Sequence, residues 1–273
     1  MKQQPIGIFD SGYGGLTVLK EITAKLPQYD YIYLGDNARS PYGTRSFETV
    51  YEYTLECVKW LFDQDCSLVI LACNTASAKA LRSIQQKDLE KIGAGKRVLG
   101  VIRPTTEIIG QYSKTGEVGI LATTGTVISN SYPIEINKFY PELNVYQEAC
   151  PMWVPLVENN EYNNPGADYF IKKNIQNLLQ QSSQIDAILL ACTHYPLLLE
   201  KIKANVPDGV SILSQGEIVA NSLVSYLAKH SEIDEKCSKN GQISFFTTDS
   251  TEDFDNHAAV FYGKPVKSVH LAL

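Results

Sequence analysis

The sequence predicts an α/β protein made of two similar α/β domains, each with a mostly parallel sheet, and a cleft between them that holds the active site. Three observations lead there. Short apolar runs of the kind that form fully buried parallel strands alternate with segments of helical spacing. One such run, Leu68-Val69-Ile70-Leu71-Ala72-Cys73-Asn74-Thr75-Ala76-Ser77, has an echo in Ala187-Ile188-Leu189-Leu190-Ala191-Cys192-Thr193-His194-Tyr195-Pro196. The length of 273 residues, 44% of them hydrophobic, suits two cores better than one.

In order along the chain, residues 5–10 read as a buried strand that ends in Asp10-Ser11-Gly12-Tyr13-Gly14-Gly15, where the glycines permit a tight turn. Residues 16–22 have helical spacing, and Pro27 closes that segment. A second strand over 31–36 leads into the loop Asn37-Ala38-Arg39-Ser40-Pro41-Tyr42-Gly43. A long helix is expected over 46–64, with Ser46 as its N-cap and an apolar stripe of Val50, Leu55, Val58 and Leu61. The strand ending at Cys73 precedes a helix over 76–92, and 97–102 is a fourth strand.

The pattern then restarts. Residues 118–122 form a strand, and Thr123-Thr124-Gly125-Thr126 is a polar turn that opens a helix. Strands follow at 144–148 and 187–191, with a short apolar segment at 151–158 and a helix at 169–181 between them. The remainder reads as a strand at 210–213, a helix at 218–229, a strand at 242–247, a helix near Phe254 and a strand at 266–271. Strands alternating with helices imply βαβ units. The first domain is expected to hold residues 1–102 and about 215–273, and the second 103–214, with Pro104 marking the crossing.

The net charge of −6 argues against nucleic acid or an anionic membrane as a main partner. No apolar stretch has membrane-spanning length, and the amino terminus lacks a signal-peptide pattern, so the chain reads as cytoplasmic. The six cysteines, at 57, 66, 73, 150, 192 and 237, show no metal-type spacing and no compact framework, which makes zinc and structural disulfides poor readings.

Chemistry concentrates at the strand ends. Cys73 and Cys192 each close a buried strand, at the edge where open α/β sheets bind ligands. Small polar residues follow both and offer donors at helix starts, a setting that stabilises thiolates and binds carboxylates. Cys57, Cys66, Cys150 and Cys237 read instead as small hydrophobes. Asp10 either caps its turn or serves as a carboxylate that binds an ammonium or relays a proton. His194 sits in the second cysteine turn, whereas His230, His257 and His270 read as surface or packing residues. The glycines at 12, 14 and 15 lack the third glycine of a dinucleotide fingerprint, and no phosphate-binding P-loop occurs.

Taken together, several segments resemble the glutamate racemases: Phe9-Asp10-Ser11-Gly12-Tyr13-Gly14-Gly15-Leu16, Gly35-Asp36-Asn37-Ala38-Arg39, Pro41-Tyr42-Gly43, Ala72-Cys73-Asn74-Thr75-Ala76, Gly125-Thr126, Ala149-Cys150-Pro151, Pro155-Leu156-Val157-Glu158 and Cys192-Thr193-His194-Tyr195-Pro196. They occur in the family's order and span nearly the whole chain. The resemblance implies a cofactor-independent, metal-free isomerase that makes D-glutamate for the bacterial cell wall, with glutamate as its small-molecule partner. It implies Cys73 and Cys192 as the catalytic acid and base, supported by Asp10 and His194, with Glu158 a further carboxylate near the site. It also implies a substrate pocket of Asp10, Ser11, Pro41, Tyr42, Gly43, Asn74, Thr75, Thr126, Thr193 and His194. A homodimer is compatible with it, though no dimer face follows.

Two positions depart from the family's pattern. Ser40 replaces a common apolar residue, and Ser214-Gln215 stands where an acidic residue often ends the strand. Neither is expected to touch the thiol pair, so they bear on domain packing or regulation rather than on chemistry. Rival readings are a racemase for aspartate, a hydrolase using one cysteine with His194 as base, and a non-catalytic amino-acid binder. Aspartate enzymes of this type usually carry a histidine after the first Asn-Thr and an acidic residue after the second Cys-Thr. Here Ala76 and His194 hold those places, and neither other rival explains the duplicated cysteine motif.

Overall fold

The computed structural model describes residues 4–273. The reading of the amino terminus rests partly on residues 1–3, which lie outside the described residues. Among the described residues, strands β1 (Ile6–Asp10), β2 (Tyr31–Gly35), β3 (Leu68–Leu71) and β4 (Arg97–Gly100) join β9 (Ile243–Thr247) and β10 (Ser268–His270) in one sheet of order β10-β9-β2-β1-β3-β4. Strands β5 (Glu117–Ala122), β6 (Asn144–Ala149), β7 (Ala187–Ala191) and β8 (Ser211–Ser214) form a second sheet of order β6-β5-β7-β8. Every pairing in both is parallel.

β1, β3 and β7 are buried along their whole length, because helices cover both faces of the sheets. Each fully buried Ile or Leu contributes about 1.5–3 kcal/mol. The strands therefore hold their ends in place for whatever follows them.

Helices begin where their caps dictate. Ser46 accepts from the Thr49 N–H at the start of the Phe47–Asp63 helix, as its sequence suggests. The helix placed at 169 begins four residues earlier, over Pro165–Gln181, because the Asn164 side chain caps the Ala167 N–H and proline suits the first position. The segment at 151–158 becomes a short helix, Trp153–Glu158. The helix placed at 218 begins at Gln215.

The expected helix over 76–92 starts at Asn74, breaks at Ala80, and widens into a π turn over Ile84–Asp88. The strand expected to reach residue 102 stops at Gly100. Val101 turns into helical geometry, its N–H bonds the Ser77 hydroxyl, and the Ile102–Thr106 helix starts with Pro104 in its first turn, where no N–H is needed. The Gln215–Lys229 helix lies along the Leu16–Lys25 helix so closely that a Cβ on Gly216 would come within 2.8 Å of Glu21 Cγ. No described helix is long and apolar enough to cross a membrane.

Candidate active site

In both sheets the chain leaves a central strand in opposite directions. β1 lies between β2 and β3, and β5 lies between β6 and β7. The loops after such strand pairs diverge and open a crevice at their carboxyl ends. Asp10 ends β1 and Ser11 follows it, Cys73 follows β3, and Thr123 and Cys192 follow β5 and β7. The two crevices face each other across one cleft, enclosing about 80 Å³ and lined by both cysteines.

Cys73 caps the Asn74–Lys79 helix, and its sulfur accepts from the Ala76 N–H at 3.4 Å while its thiol donates to Ser11 Oγ at 3.5 Å. Burial, reinforced by the charge of Asp10, pushes this thiol up to about 12, against the bonds from Ser11 and Ala76; a charge on Cys192 adds to the rise. Asp10 itself is buried. One carboxylate oxygen accepts the Gly12 N–H at 3.0 Å, and the other finds no hydrogen-bond partner among the described residues. Burial raises its pKa, opposed by His194 and by the N–H groups of Gly15 and Gly12.

Across the cleft, Cys192 Sγ lies 3.9 Å from His194 Nδ1, and His194 Nε2 lies 3.0 Å from Glu158 Oε1. Burial lowers the imidazole pKa, but the bonds and charges of Cys192 and Glu158 outweigh it and push it up to about 10. Cys192 and Glu158 thus both favour the protonated form of His194. Phe261 packs edge-on against its ring. The two thiols accordingly sit in unlike settings, one beside a carboxyl group and the other beside an imidazolium.

The halves also touch beside the cleft. Thr75 and Thr123 hydroxyls meet at 3.0 Å, and Thr17 Oγ1 donates to the Thr193 carbonyl at 3.0 Å. Gly14 shows why this turn needs glycine: a Cβ there would stand 2.2 Å from Thr193 Oγ1 and 2.5 Å from His194 Nδ1. Gly14→Ala is expected to cost about 1–3 kcal/mol by overpacking and to depress turnover by displacing His194. Urea unfolding together with steady-state rates checks this; unchanged rates would show that His194 tolerates the shift.

The sequence pattern of the Asp/Glu/hydantoin racemases matches residues 14–223, a span that contains both cysteine motifs. The chain belongs to the Asp/Glu/hydantoin racemase family. It is thus an isomerase. It is 38% identical to a glutamate racemase of Geobacter metallireducens over 270 residues, covering 99% of this chain and 97% of that relative. A glutamate racemase of Listeria monocytogenes is 36% identical over 273 residues, with 99% of each chain covered. Among solved structures, a glutamate racemase of Bacillus anthracis superposes with a TM-score of 0.90 at 34% identity, covering 100% of this chain and 99% of the other. One from Francisella tularensis in complex with D-glutamate gives 0.88 at 30% identity, covering 100% and 98%. An aspartate racemase of Picrophilus torridus, at 17% identity and 0.56, shares the fold alone.

In this racemase, Ser11, Pro41, Tyr42, Gly43, Cys73, Asn74, Thr75, Glu158, Cys192, Thr193 and His194 line the cleft. Two of the residues named from sequence do not. Asp10 lies behind Ser11 and Cys73. Thr126 is wholly buried one layer back, its hydroxyl bonded to that of Thr123, which lines the cleft in its place. Tyr42 is held by Asp36, which also binds Arg39 Nε at 2.7 Å and so ties down the Pro41-Tyr42-Gly43 loop.

Cys150 and Ser40 also reach the cleft. For Cys150 the sequence signal was its presence in a matching segment, which the reading as a small hydrophobe set aside. Among the described residues, no group of three or more His, Cys, Asp or Glu side chains is arranged to hold a metal ion.

Proposed function

We propose that this racemase interconverts L- and D-glutamate without a cofactor, by a two-base mechanism in which Cys73 and Cys192 stand on opposite faces of the substrate α-carbon. The observation that carries this reading is the pair of thiols at matched strand ends of two facing sheets, both open to one cleft. Inversion at carbon requires a proton to leave one face and another to arrive at the opposite face. One thiolate takes the α-proton while the other side's thiol supplies its own, and the roles exchange with the enantiomer bound.

The α-proton of an amino acid is far less acidic than a thiol, so the developing carbanion needs electrostatic help in a dry site. N–H groups at the starts of the Asn74–Lys79 and Thr124–Ser129 helices, with the threonine hydroxyls around them, supply donors for the substrate carboxylates. The His194 imidazolium serves Cys192, and Asp10 serves Cys73 as a proton relay. Glutamate is favoured over aspartate because the relatives and structures described above at 30% identity and above are glutamate racemases, whereas the aspartate racemase described shares the fold alone. The same reading places the enzyme in the cytoplasm, supplying D-glutamate for peptidoglycan, as a monomer or homodimer that sedimentation distinguishes.

Incubation of the purified protein with L-glutamate in D₂O, no cofactor added, is expected to bring optical rotation to zero with deuterium entering at the α-carbon. Aspartate should react far more slowly. Persistence of the rotation would overturn the reading, and a faster reaction with aspartate would reassign the substrate.

A further inference from the structure

Gln215, one of the two departures from the family's pattern, is the first residue of the Gln215–Lys229 helix and is 4% exposed. Its side chain reaches the residue next to Cys73. Asn74 Nδ2 donates to Gln215 Oε1 at 2.6 Å, Gln215 Nε2 donates to the Tyr132 hydroxyl at 2.7 Å, and the Tyr132 hydroxyl donates to Asn74 Oδ1 at 2.6 Å. The three side chains thus close a ring in which each donates to the next. They come from three separate stretches of chain, and all are buried.

The ring has one consistent sense. Gln215 Nε2 also lies 3.2 Å from the Val101 carbonyl, a pure acceptor, and 3.1 Å from Thr105 Oγ1. Turning the Gln215 amide over would set two acceptors against each other at Val101 and two donors against each other at Asn74. Closed rings of hydrogen bonds strengthen one another and fix orientation. The Asn74 amide is therefore locked: its oxygen and one of its N–H bonds are committed, which leaves one N–H for the cleft that Asn74 lines.

We infer that Gln215 is a positioning residue that, together with Tyr132, aims the remaining Asn74 N–H at a substrate carboxylate. The inference rests on the proposed glutamate site. A glutamate at 215 would lack the donor. Its carboxylate would draw the Tyr132 hydroxyl to itself, strip Asn74 Oδ1 of its partner and leave the Val101 carbonyl facing an acceptor. The amide is thus what this chain needs for its ring, and an acidic residue at this place requires a different arrangement.

The test is a double-mutant cycle read in both KM and kcat for L-glutamate, with melting temperatures recorded for every protein. Gln215→Glu and Tyr132→Phe are each expected to raise KM about tenfold, the size of one hydrogen bond to a charged group, with kcat changed far less. In an Asn74→Ala background, Gln215→Glu should raise KM no further. Tyr132→Phe carries the test if Gln215→Glu does not fold. Wild-type KM in both folded variants overturns the inference, and so does a KM rise of equal size with and without Asn74. If the unmodified protein leaves glutamate unchanged, the functional reading falls and this inference falls with it; active wild type with unaltered variants overturns the inference alone.

Discussion

Alanine at Cys73 or at Cys192 is expected to lower racemisation by about 10²- to 10⁴-fold or more, with folding retained. Each thiol is a small group at the rim of a cleft, and no described bond to the opposite half depends on it. The residual chemistry should be informative. A protein with one cysteine left can still take the α-proton of the enantiomer that faces it and return deuterium to the same side. Deuterium should then enter one enantiomer without inversion in the Cys73→Ala protein, and the other enantiomer in the Cys192→Ala protein. Chiral separation with mass spectrometry reads both. Two-way turnover at the normal rate in either variant would end the two-base mechanism.

The second large effect concerns Glu158, which holds the His194 imidazolium 3.0 Å away. Glu158→Gln keeps the shape and removes the charge. A hydrogen bond to a charged group is worth about 1.5–3 kcal/mol, so kcat/KM at neutral pH should fall about 10- to 100-fold. The fall must be equal for L- and D-glutamate, because the enantiomers have equal free energy in water. Only kcat and KM taken singly can become unequal. With the carboxylate gone, Cys192 alone opposes burial and the imidazole pKa drops from about 10. The alkaline limb of the pH profile should therefore move to lower pH.

Stability gives an independent check with a definite sign. The folded pKa of His194 lies above the ordinary value near 6.5, so its contribution is complete below about pH 6.5. It declines as pH rises toward 10 and is gone above that. The stability gap between wild type and Glu158→Gln should be widest near about pH 6 and closed by about pH 10. A gap that widens with pH would mean that His194 is neutral in the folded protein.

Much of this molecule is written in local pattern. Buried strands announce themselves as unbroken apolar runs, which is why β1, β3, β5 and β7 fall where the sequence places them. The duplicated Ala-Cys end of β3 and β7 marks both thiols, since a polar break after a buried strand puts the next side chain at the sheet's binding edge. Errors cluster at helix starts. Asn164-Pro165 is a legible cap that apolar spacing alone overlooks. The break at Ala80 leaves no trace in the periodicity, because the residues on both sides stay helical.

What the sequence determined by itself was the alternation of strand and helix, the two cysteines, and the small polar residues beside them, because each depends on neighbours a few positions away. What the tertiary structure decided is which of these groups touch. Glu158 reaches His194 from 36 residues away, and Gln215 reaches Asn74 across 141. Thr123, not Thr126, lines the cleft, because the first turn of a helix buries one threonine behind the other. Strand order and the packing of one half on the other set those contacts. Neither has a local signature, so the partners that set the charge on His194 and the aim of Asn74 emerge only when the chain is folded.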